Sequence, residues 1–248
     1  REGPSESRRS IVMDYLDRVA QVQSLQDDIR AIYIDPNVND PQRLSAPLST
    51  ILDSKMNPLI QLSPAVESVL QSQVRQTLSS TGLSIGSVLF PPVLYHSSEV
   101  PPSLFLSPRD RIELIGNISL RADLTEPEFV MLEGVIESEL NVSALIEPVG
   151  GLATYPTMIM LTTDLNWLIE TIAHEWTHNF LSVHTLGLNY DRSSELRTMN
   201  ETVASLVGKE IGQVGLETYY PGRISTGIKP NNWSPASLML GDPFDFRY

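Results

Sequence analysis

The stretch TIAHEWTHNF, from Thr171 to Phe180, holds two of the four histidines of this 248-residue chain, with a glutamate directly after the first. Residues four apart on an α-helix lie one turn apart on the same face, so the imidazoles of His174 and His178 can converge on one metal ion. A catalytic zinc site has three protein ligands and one open position. Glu175 follows His174 directly, where its carboxylate can take a proton from a water whose pKa zinc has lowered. We therefore expect one Zn²⁺ ion here, with Glu175 as general base.

The residues around this motif predict a helix that packs against a core. Asp164 is a suitable N-cap, because aspartate accepts hydrogen bonds from the free backbone N–H groups at a helix start. The next glycine after the motif is Gly187, so we expect the helix to end between His184 and Leu186. Apolar residues recur at helical spacing at Leu165, Leu168, Ile169, Ile172, Ala173, Trp176 and Phe180.

Two residues compete for the third zinc ligand. His184 stands in HEWTHNFLSVH where metzincin metalloproteases, such as astacins and matrix metalloproteases, carry their third histidine. That pattern normally has glycine three residues after the second histidine, where this chain has Leu181. If the helix continues, His184 points roughly 120° away from His178, because each helical residue turns by about 100°. A metzincin-type protease that uses His184 is the alternative interpretation.

The rival ligand is Glu201, on a second helix that Ser193 or Ser194 can cap. The expected core stripe of this helix is Leu196, Met199, Val203, Leu206 or Val207, Ile211 and Val214. Glu201 lies off that stripe, on a face continued by Ala204, Ser205, Gly208 and Gly212. Small residues let this helix approach the motif helix closely, which brings a carboxylate within reach of a metal on its neighbour. Glycine costs about 1 kcal/mol relative to alanine inside a helix, so its use here indicates close packing.

The combined pattern resembles the gluzincin metallopeptidases, the group that contains the thermolysin-like enzymes and the zinc aminopeptidases. His-Glu-x-x-His is followed by Asn-Glu-x-x-Ala, whose glutamate lies 23 positions after the second histidine. The resemblance extends from about Gly150 to Gly212. Thermolysin-like enzymes have an acidic residue one helical turn after the ligand glutamate, where this chain has Ser205.

The resemblance implies a role for each matching residue. His174, His178 and Glu201 would bind zinc, Glu175 would be the general base, and Asn200 would orient a ligand histidine. The implied reaction is hydrolysis of a peptide bond. Zinc polarises the scissile carbonyl, and the base first deprotonates the water and later protonates the leaving amine.

The resemblance also implies where a substrate binds. It makes ATYPTMIML the upper edge strand, so that Tyr155, Thr157 and Met158 would pair with an extended peptide by β-augmentation. No aminopeptidase-type Gly-x-Met-Glu-Asn sequence precedes the motif, which favours an endopeptidase. The tetrahedral oxyanion usually needs one more hydrogen-bond donor, and among four candidates we favour Tyr219 and Tyr220. These candidates are Tyr190, Arg197, Tyr219 and Tyr220.

The N-terminal part is predicted to be helical, with a linker. Ser10 to Ile34 carries apolar residues at seven-residue spacing, typical of one long helix that docks on its own domain or forms a short coiled coil or stalk. Asp35 to Pro64 is rich in Pro, Asn and Ser, which indicates an extended linker or a wrapped surface segment. A second helix is expected from Pro64 to about Ser80, with Gly82 just past its end.

The rest of the chain predicts an α+β fold. Short apolar and β-branched runs between Ile85 and Leu124 indicate two to four strands, and Glu126 to about Leu145 has helical spacing. We expect an N-terminal helical extension and linker in residues 1–84. Residues 85–248 would then form a zincin-like metallopeptidase domain. In that domain a small, mostly antiparallel sheet places its edge strand over the active-site helix, and a glutamate-bearing helix follows.

Composition restricts the partners of the chain. A net charge of −13 without a Lys/Arg-rich run argues against a nucleic-acid surface. Because the chain has no cysteine, any metal must be held by His, Asp or Glu. No apolar run reaches the roughly 18 residues of a membrane span, although an anchor upstream of the chain stays open. The expected partner is a peptide or protein substrate, and the oligomeric state is left open.

One Asn-x-Ser/Thr sequon falls inside the proposed site, at Asn200. A glycan there would fill the site, which favours a bacterial protein. The localisation is left open, and the soluble part of a membrane-tethered or exported protein is one option. A non-catalytic, zinc-bearing peptide-binding or scaffold domain is the remaining alternative. The retained Glu175 argues against it, because a structural zinc needs no base and usually has four protein ligands.

Overall fold

The computed structural model describes residues 4–82, 88–121, 124 and 126–221. Its long helices and two small sheets confirm the α+β class. Within the described residues, no helix combines the length and the apolar character that crossing a membrane requires. In chain order the elements are α1 (Pro4–Ile34), α2 (Pro41–Ser80), β1 (Tyr95–Ser97), β2 (Ser103–Pro108), β3 (Gly116–Ser119), α3 (Glu126–Leu140), β4 (Val142–Glu147), β5 (Gly151–Leu152), β6 (Thr157–Ile159), α4 (Leu165–Leu181), α5 (Thr185–Leu188), a 3-10 turn (Tyr190–Arg192) and α6 (Ser194–Tyr219).

The long N-terminal helix is confirmed as α1, and it docks on the protein. Its apolar stripe packs against α2 and joins the core cluster that also contains residues of α4 and α6. The stripe leaves the core near the end of the helix, where Tyr33 is exposed. The buried residues of the stripe are Val12, Tyr15, Val19 and Val22.

The linker predicted from Asp35 to Pro64 is wrong, because most of this segment belongs to α2. The helix begins at Pro41, and Oδ1 of Asp40 caps it by accepting a hydrogen bond from the Arg43 N–H at 3.0 Å. Its end agrees with the prediction, since Gly82 follows with a φ of 86°. The second helix is therefore longer than the sequence indicated.

Three prolines inside α2 explain why the sequence suggested a linker. Proline removes one backbone hydrogen bond, and in a helix it usually costs about 3 kcal/mol. Pro47, Pro58 and Pro64 all lie on the exposed side of α2, where water can bond the carbonyl groups they leave free. On its other side the helix buries Leu59, Val66, Leu70, Val74 and Leu78.

Two three-stranded sheets follow the helices. In the first, β2 lies between β3 and β4 and pairs antiparallel with both. In the second, β6 lies between β1 and β5, parallel to β1 and antiparallel to β5. Among the described residues of the segment where two to four strands were predicted, the structure has three, β1 to β3. The prediction of a mostly antiparallel sheet fits the first sheet, whereas the second is mixed.

The prediction that ATYPTMIML forms an edge strand is wrong, because β6 is the middle strand of its sheet. Thr157 is paired with Tyr95 of β1, and Met158 is paired on both sides, with His96 and with Leu152. The parallel partner β1 comes from a part of the chain about 60 residues earlier, so local sequence could not reveal it. The edge next to the motif helix is β5.

The helix predicted from Glu126 to about Leu145 ends earlier, at Leu140. Asn141 follows with a φ of 53°, a left-handed conformation that asparagine adopts more readily than most residues. The chain then forms β4, in which Leu145 pairs with Phe105 of β2. The turn at Asn141 therefore ends the helix, and the apolar residues that follow it belong to a strand.

A single large cluster of buried apolar residues connects the N-terminal helices to the motif helix. It contains Leu70 and Val74 of α2, Ile169 and Ile172 of α4, and Ile211 of α6. The helices that carry the expected ligands are therefore packed on α2, which in turn packs on α1.

Candidate metal centre

The motif helix α4 begins as predicted and ends earlier than predicted. Oδ1 of Asp164 caps its start by accepting a hydrogen bond from the Trp167 N–H at 3.0 Å. The helix ends at Leu181, and a turn leads into α5. His174 and His178 lie one turn apart, with their ring centroids separated by 4.8 Å.

Helix α6 approaches α4 closely through glycines, as the sequence predicted. A Cβ atom at Gly208 would lie 2.9 Å from the backbone oxygen of Glu170 and 3.2 Å from Cβ of His174. A Cβ atom at Gly212 would collide with the Glu170 side chain. This close approach brings Glu201 of α6 opposite the two histidines of α4.

The core stripe predicted for α6 is confirmed only in part, because the helix also buries its small-residue face. Ile211 is buried and Val207 packs against the core, whereas Met199, Leu206 and Val214 are exposed. The close approach of α4 leaves no room for a large side chain at Gly208 or Gly212. The buried residues of α6 are Asn200, Ala204, Gly208, Ile211, Gly212, Gly215 and Leu216.

Three potential ligand atoms meet between the two helices. His174 Nε2 lies 3.1 Å from His178 Nε2, and Glu201 Oε2 lies 3.6 Å from the first and 3.4 Å from the second. A tetrahedral zinc site with bonds of about 2.0–2.1 Å has ligand atoms about 3.3–3.4 Å apart. The triangle therefore fits an ion of that size. Within the described part of the chain, no other group of three or more His, Cys, Asp and Glu side chains could hold a metal ion.

Asn200 orients His178. Its Oδ1 lies 2.8 Å from His178 Nδ1, and an amide oxygen can only accept, so Nδ1 carries the hydrogen. In the neutral imidazole Nε2 then keeps its lone pair, and this atom faces Glu201 and His174. Asn200 is 2% exposed, so water does not compete for this hydrogen bond. This is the contact that a residue orienting a zinc ligand makes.

Glu175 is buried close to the triangle and beneath β5. It is 8% exposed, and a Cβ atom at position 151 would lie 2.6 Å from its Oε1, so Gly151 leaves the room that this carboxylate occupies. Burial raises the pKa of Glu175, although the nearby charges of His174 and His178 lower it. A raised pKa suits a group that must accept a proton and then release it.

Glu201 and His178 stabilise each other's charged forms. Burial alone would raise the pKa of Glu201, but hydrogen bonds from His174 and His178 outweigh burial and lower this pKa well below its ordinary value. Burial likewise lowers the pKa of His178, but the hydrogen bond and the charge of Glu201 raise it to about 8. The Glu201 carboxylate is therefore ionised at neutral pH, which is the form that binds a cation, whereas His178 binds a cation only after it has released a proton.

The second oxygen of Glu201 is bound by Tyr190, whose hydroxyl donates to Oε1 at 2.8 Å. Burial, followed by the charge of Glu201, raises the pKa of Tyr190, so the phenol keeps its proton. The ring stands perpendicular to that of His178 at a centroid distance of 6.5 Å. The Arg197 guanidinium lies 5.7 Å from the Tyr190 ring centroid. Of the four donor candidates, the structure thus places Tyr190 against the triangle, and Arg197 lies near the Tyr190 ring.

The two favoured donor candidates, Tyr219 and Tyr220, lie elsewhere, and that prediction is wrong. Tyr219 follows Glu201 by 18 residues on one continuous helix, a distance of about 27 Å at 1.5 Å per residue. The Tyr219 hydroxyl donates to Gln76 and the Tyr220 hydroxyl donates to Gln73, both on α2. These tyrosines attach the end of α6 to α2.

His184 stands apart from the triangle. It follows the end of α4, its Nδ1 donates to the Phe180 carbonyl at 2.7 Å, and its ring stacks on the Phe180 ring at 4.3 Å. It is exposed and does not belong to the group formed by the other two histidines and Glu201. The geometry therefore favours Glu201 as the third ligand over the metzincin alternative.

The structure gives separate environments to the three residues expected to contact a substrate, Tyr155, Thr157 and Met158. Thr157 is buried and accepts a hydrogen bond from Asn179 of α4. Met158 is half-buried in the middle strand, and the exposed Tyr155 donates its hydroxyl hydrogen to Pro92 O.

Sequence reasoning missed Gly151, which contacts the expected base. The only signal was the Gly150-Gly151 pair before the strand. The contact with Glu175 depends on how β5 packs over α4, and local sequence does not encode that.

Comparison with known proteins gives no match among family models, curated proteins or solved structures. The function is therefore argued from the geometry of the site.

Proposed function

We propose that this protein is a zinc metallopeptidase of the gluzincin type, an endopeptidase that hydrolyses peptide bonds in an extended peptide or protein. The observation that supports this most is the convergence of His174 Nε2, His178 Nε2 and Glu201 Oε2 beside the buried carboxylate of Glu175. Three ligands among the described residues leave one coordination position for a further ligand, as in catalytic zinc sites. Glu175 lies next to the ligands without being one of them, and a purely structural metal site needs no such carboxylate.

Each residue has one task in the proposed reaction. His174, His178 and Glu201 would hold the ion, which when bound would supply a Lewis acid to polarise the scissile carbonyl and to lower the pKa of a water. Glu175 accepts the proton of the attacking water. It then delivers that proton to the leaving nitrogen as the C–N bond breaks, which returns the carboxylate to its starting state.

An extended substrate fits beside β5. Within the described residues this strand pairs with β6 on one side only, and Gly151 on β5 lies against Glu175. A peptide that adds to the free side of β5 through backbone hydrogen bonds would pass close to the base. The substrate edge is therefore assigned to β5 instead of to Tyr155, Thr157 and Met158.

The test combines metal analysis with a cleavage screen on a peptide library. We expect one zinc per chain and cleavage within peptides by the wild-type protein. Glu175→Gln should keep its zinc and lose about a hundredfold to ten-thousandfold in kcat, because an amide cannot accept the proton. Glu67→Gln is the matched control. Glu67 is also 8% exposed, but it lies on α2 and accepts hydrogen bonds from His96 and Ser97.

Other results would support the alternatives. Zinc in the wild-type protein without cleavage of any library peptide would support a non-catalytic zinc-bearing binding or scaffold domain. Loss of zinc from His184→Ala together with retention in Glu201→Ala would support the metzincin arrangement. We expect the reverse, with zinc lost from Glu201→Ala and kept in His184→Ala.

A further inference from the structure

The two oxygens of the Glu201 carboxylate have different surroundings. Oε2 faces the imidazoles, 3.6 Å from His174 Nε2 and 3.4 Å from His178 Nε2. Oε1 accepts the hydrogen bond from the Tyr190 hydroxyl at 2.8 Å. One oxygen is therefore directed at the ligand triangle, and the other is held by the phenol.

Tyr190 is fixed in this position by its neighbours. It begins the 3-10 turn between α5 and α6, and its ring stands at 90° to the His178 ring. The Arg197 guanidinium packs near the same ring and donates a hydrogen bond to the Leu114 carbonyl at 3.1 Å. The phenol is thus positioned by groups from α4, α6 and the segment before β3.

A carboxylate can bind a cation through one oxygen or through both. If Glu201 used both oxygens, two imidazoles and two carboxylate oxygens would fill the four positions of a tetrahedral zinc site. A hydrogen bond to Oε1 engages that oxygen and turns it away from the triangle. Whether Oε1 is engaged thus decides whether a position is left for another ligand.

We propose that Tyr190 is a positioning residue that restricts Glu201 to one metal-binding oxygen, Oε2, and so keeps one coordination position open. This inference rests on the metal site of the proposed function. It assigns Tyr190 a role in setting the number of protein ligands, separate from any contact with a substrate. Residues that hydrogen-bond a metal ligand typically change metal affinity or activity by roughly ten- to a hundredfold when they are mutated.

The test uses the full chain loaded with Co²⁺ and titrated with azide, a small anion that binds open metal positions and changes the visible absorption. Tyr190→Phe removes the hydroxyl and keeps the ring that packs on His178. We expect one Co²⁺ per chain in the wild-type protein and in Tyr190→Phe. The dissociation constant of azide should be roughly ten- to a hundredfold higher in the variant, because the released oxygen takes the open position. Tyr33→Phe is the matched control, since Tyr33 is exposed at the end of α1, and its azide affinity should equal that of the wild type.

Two results would overturn the inference while leaving the proposed function intact. One is unchanged azide affinity in Tyr190→Phe. The other is loss of Co²⁺ from this variant, which would show that the hydroxyl is needed to hold Glu201 at the site at all. If the wild-type protein binds no Co²⁺ and no zinc, the proposed function fails, and this inference fails with it.

Discussion

At the scale of single residues, the site depends on hydrogen bonds that Asn200 and Tyr190 make to two of the proposed ligands. Asn200 fixes the hydrogen of His178 on Nδ1, and Tyr190 engages one oxygen of Glu201. The two hydrogen bonds have different effects. Asn200 leaves Nε2 of the neutral His178 ring free to bind a metal, whereas Tyr190 occupies a lone pair on Oε1 of Glu201. Asn200 and Tyr190 are outside the ligand triangle, and each affects it through the ligand to which it is hydrogen-bonded.

Replacing Asn200 with alanine should weaken metal binding. The change leaves the Nδ1–H of His178 without its buried acceptor, so the ring loses its fixed orientation. We expect the dissociation constant of zinc to rise roughly ten- to a hundredfold, measured by competition with a chromophoric chelator. Asn200→Asp keeps an acceptor at the same place and should retain most of the affinity. Asn57→Ala, at an exposed position of α2, should change nothing, and equal affinity in both alanine variants would contradict the role of Asn200.

The residues of the site were predictable where a short motif carries them. The His-Glu-x-x-His spacing and the Asn-Glu pair singled out the triangle, Glu175 and Asn200, because these residues belong to two helices with regular geometry. Tyr190 could not be preferred over Tyr219 from the sequence. The prediction followed α6 only to about Val214, and the distance from Glu201 excludes Tyr219 only once the helix is known to be continuous to its end.

At the scale of elements, the packing of α6 on α4 positions the third ligand. Gly208 faces the backbone of α4 and the first carbon of a ligand side chain, so the separation of the helices is limited by main-chain atoms. Main-chain atoms cannot rotate away as the end of a long side chain can. The absence of a side chain at Gly208 therefore determines how closely α6, which carries Glu201, approaches the histidines of α4.

Gly208→Ala should destabilise the protein although alanine favours a helix by about 1 kcal/mol. The added methyl group would lie 2.9 Å from the Glu170 oxygen, and overpacking of this kind typically costs about 1–3 kcal/mol. Urea unfolding measures the change. The control is Gly134→Ala in the middle of α3, where a Cβ atom meets nothing within 4 Å, and we expect it to stabilise by about 0.5–1 kcal/mol. A stabilising effect of both substitutions would show that the two helices can move apart.

Elements were predictable where local signals agreed with tertiary packing. Asp164 and Ser193 cap α4 and α6 as predicted, because a side-chain cap is a local interaction. The start of α2 was missed since Pro47 and Pro58 predict a break, whereas their exposed positions make them tolerable. The middle position of β6 was missed because its partner β1 is distant in sequence.

At the scale of the whole molecule, the N-terminal helices share one core with the helices of the site. The sequence led us to treat residues 1–84 as an extension, because a proline-rich segment appeared to separate them from the rest. One core cluster contains Val12 of α1, Leu70 of α2 and Ile169 of α4. The division at residue 84 stays a prediction. Removal of α1 and α2 would expose the buried face of α4.

Leu70→Ala should therefore destabilise the whole protein in one transition. Leu70 is fully buried, and leucine-to-alanine changes in a core cost about 2–5 kcal/mol. Unfolding should be followed by circular dichroism, which reports helices, and by tryptophan fluorescence, since two of the three tryptophans lie in α4. Both midpoints should fall together. Ile60→Ala, at an exposed position of the same helix, should change stability by no more than about 0.5 kcal/mol.

A fluorescence transition that keeps its wild-type midpoint in Leu70→Ala would contradict this expectation. It would mean that residues 1–84 unfold separately, as the division into an extension and a metallopeptidase domain implies. The two signals thus distinguish a shared core from two independent units.

The ligand triangle draws two of its atoms from α4 and the third from α6, so an ion held there would add a further link between two helices that already meet through packing and through the contacts of Asn200 and Glu201 with the histidines. Any ligand that binds only the folded state adds RT ln(1 + [L]/Kd) to the free energy of unfolding, about 4 kcal/mol at a free concentration 1,000 times Kd. Supply of the cation would then govern the abundance of the folded chain as well as its turnover. A cell starved of that nutrient would lose the protein to its proteases.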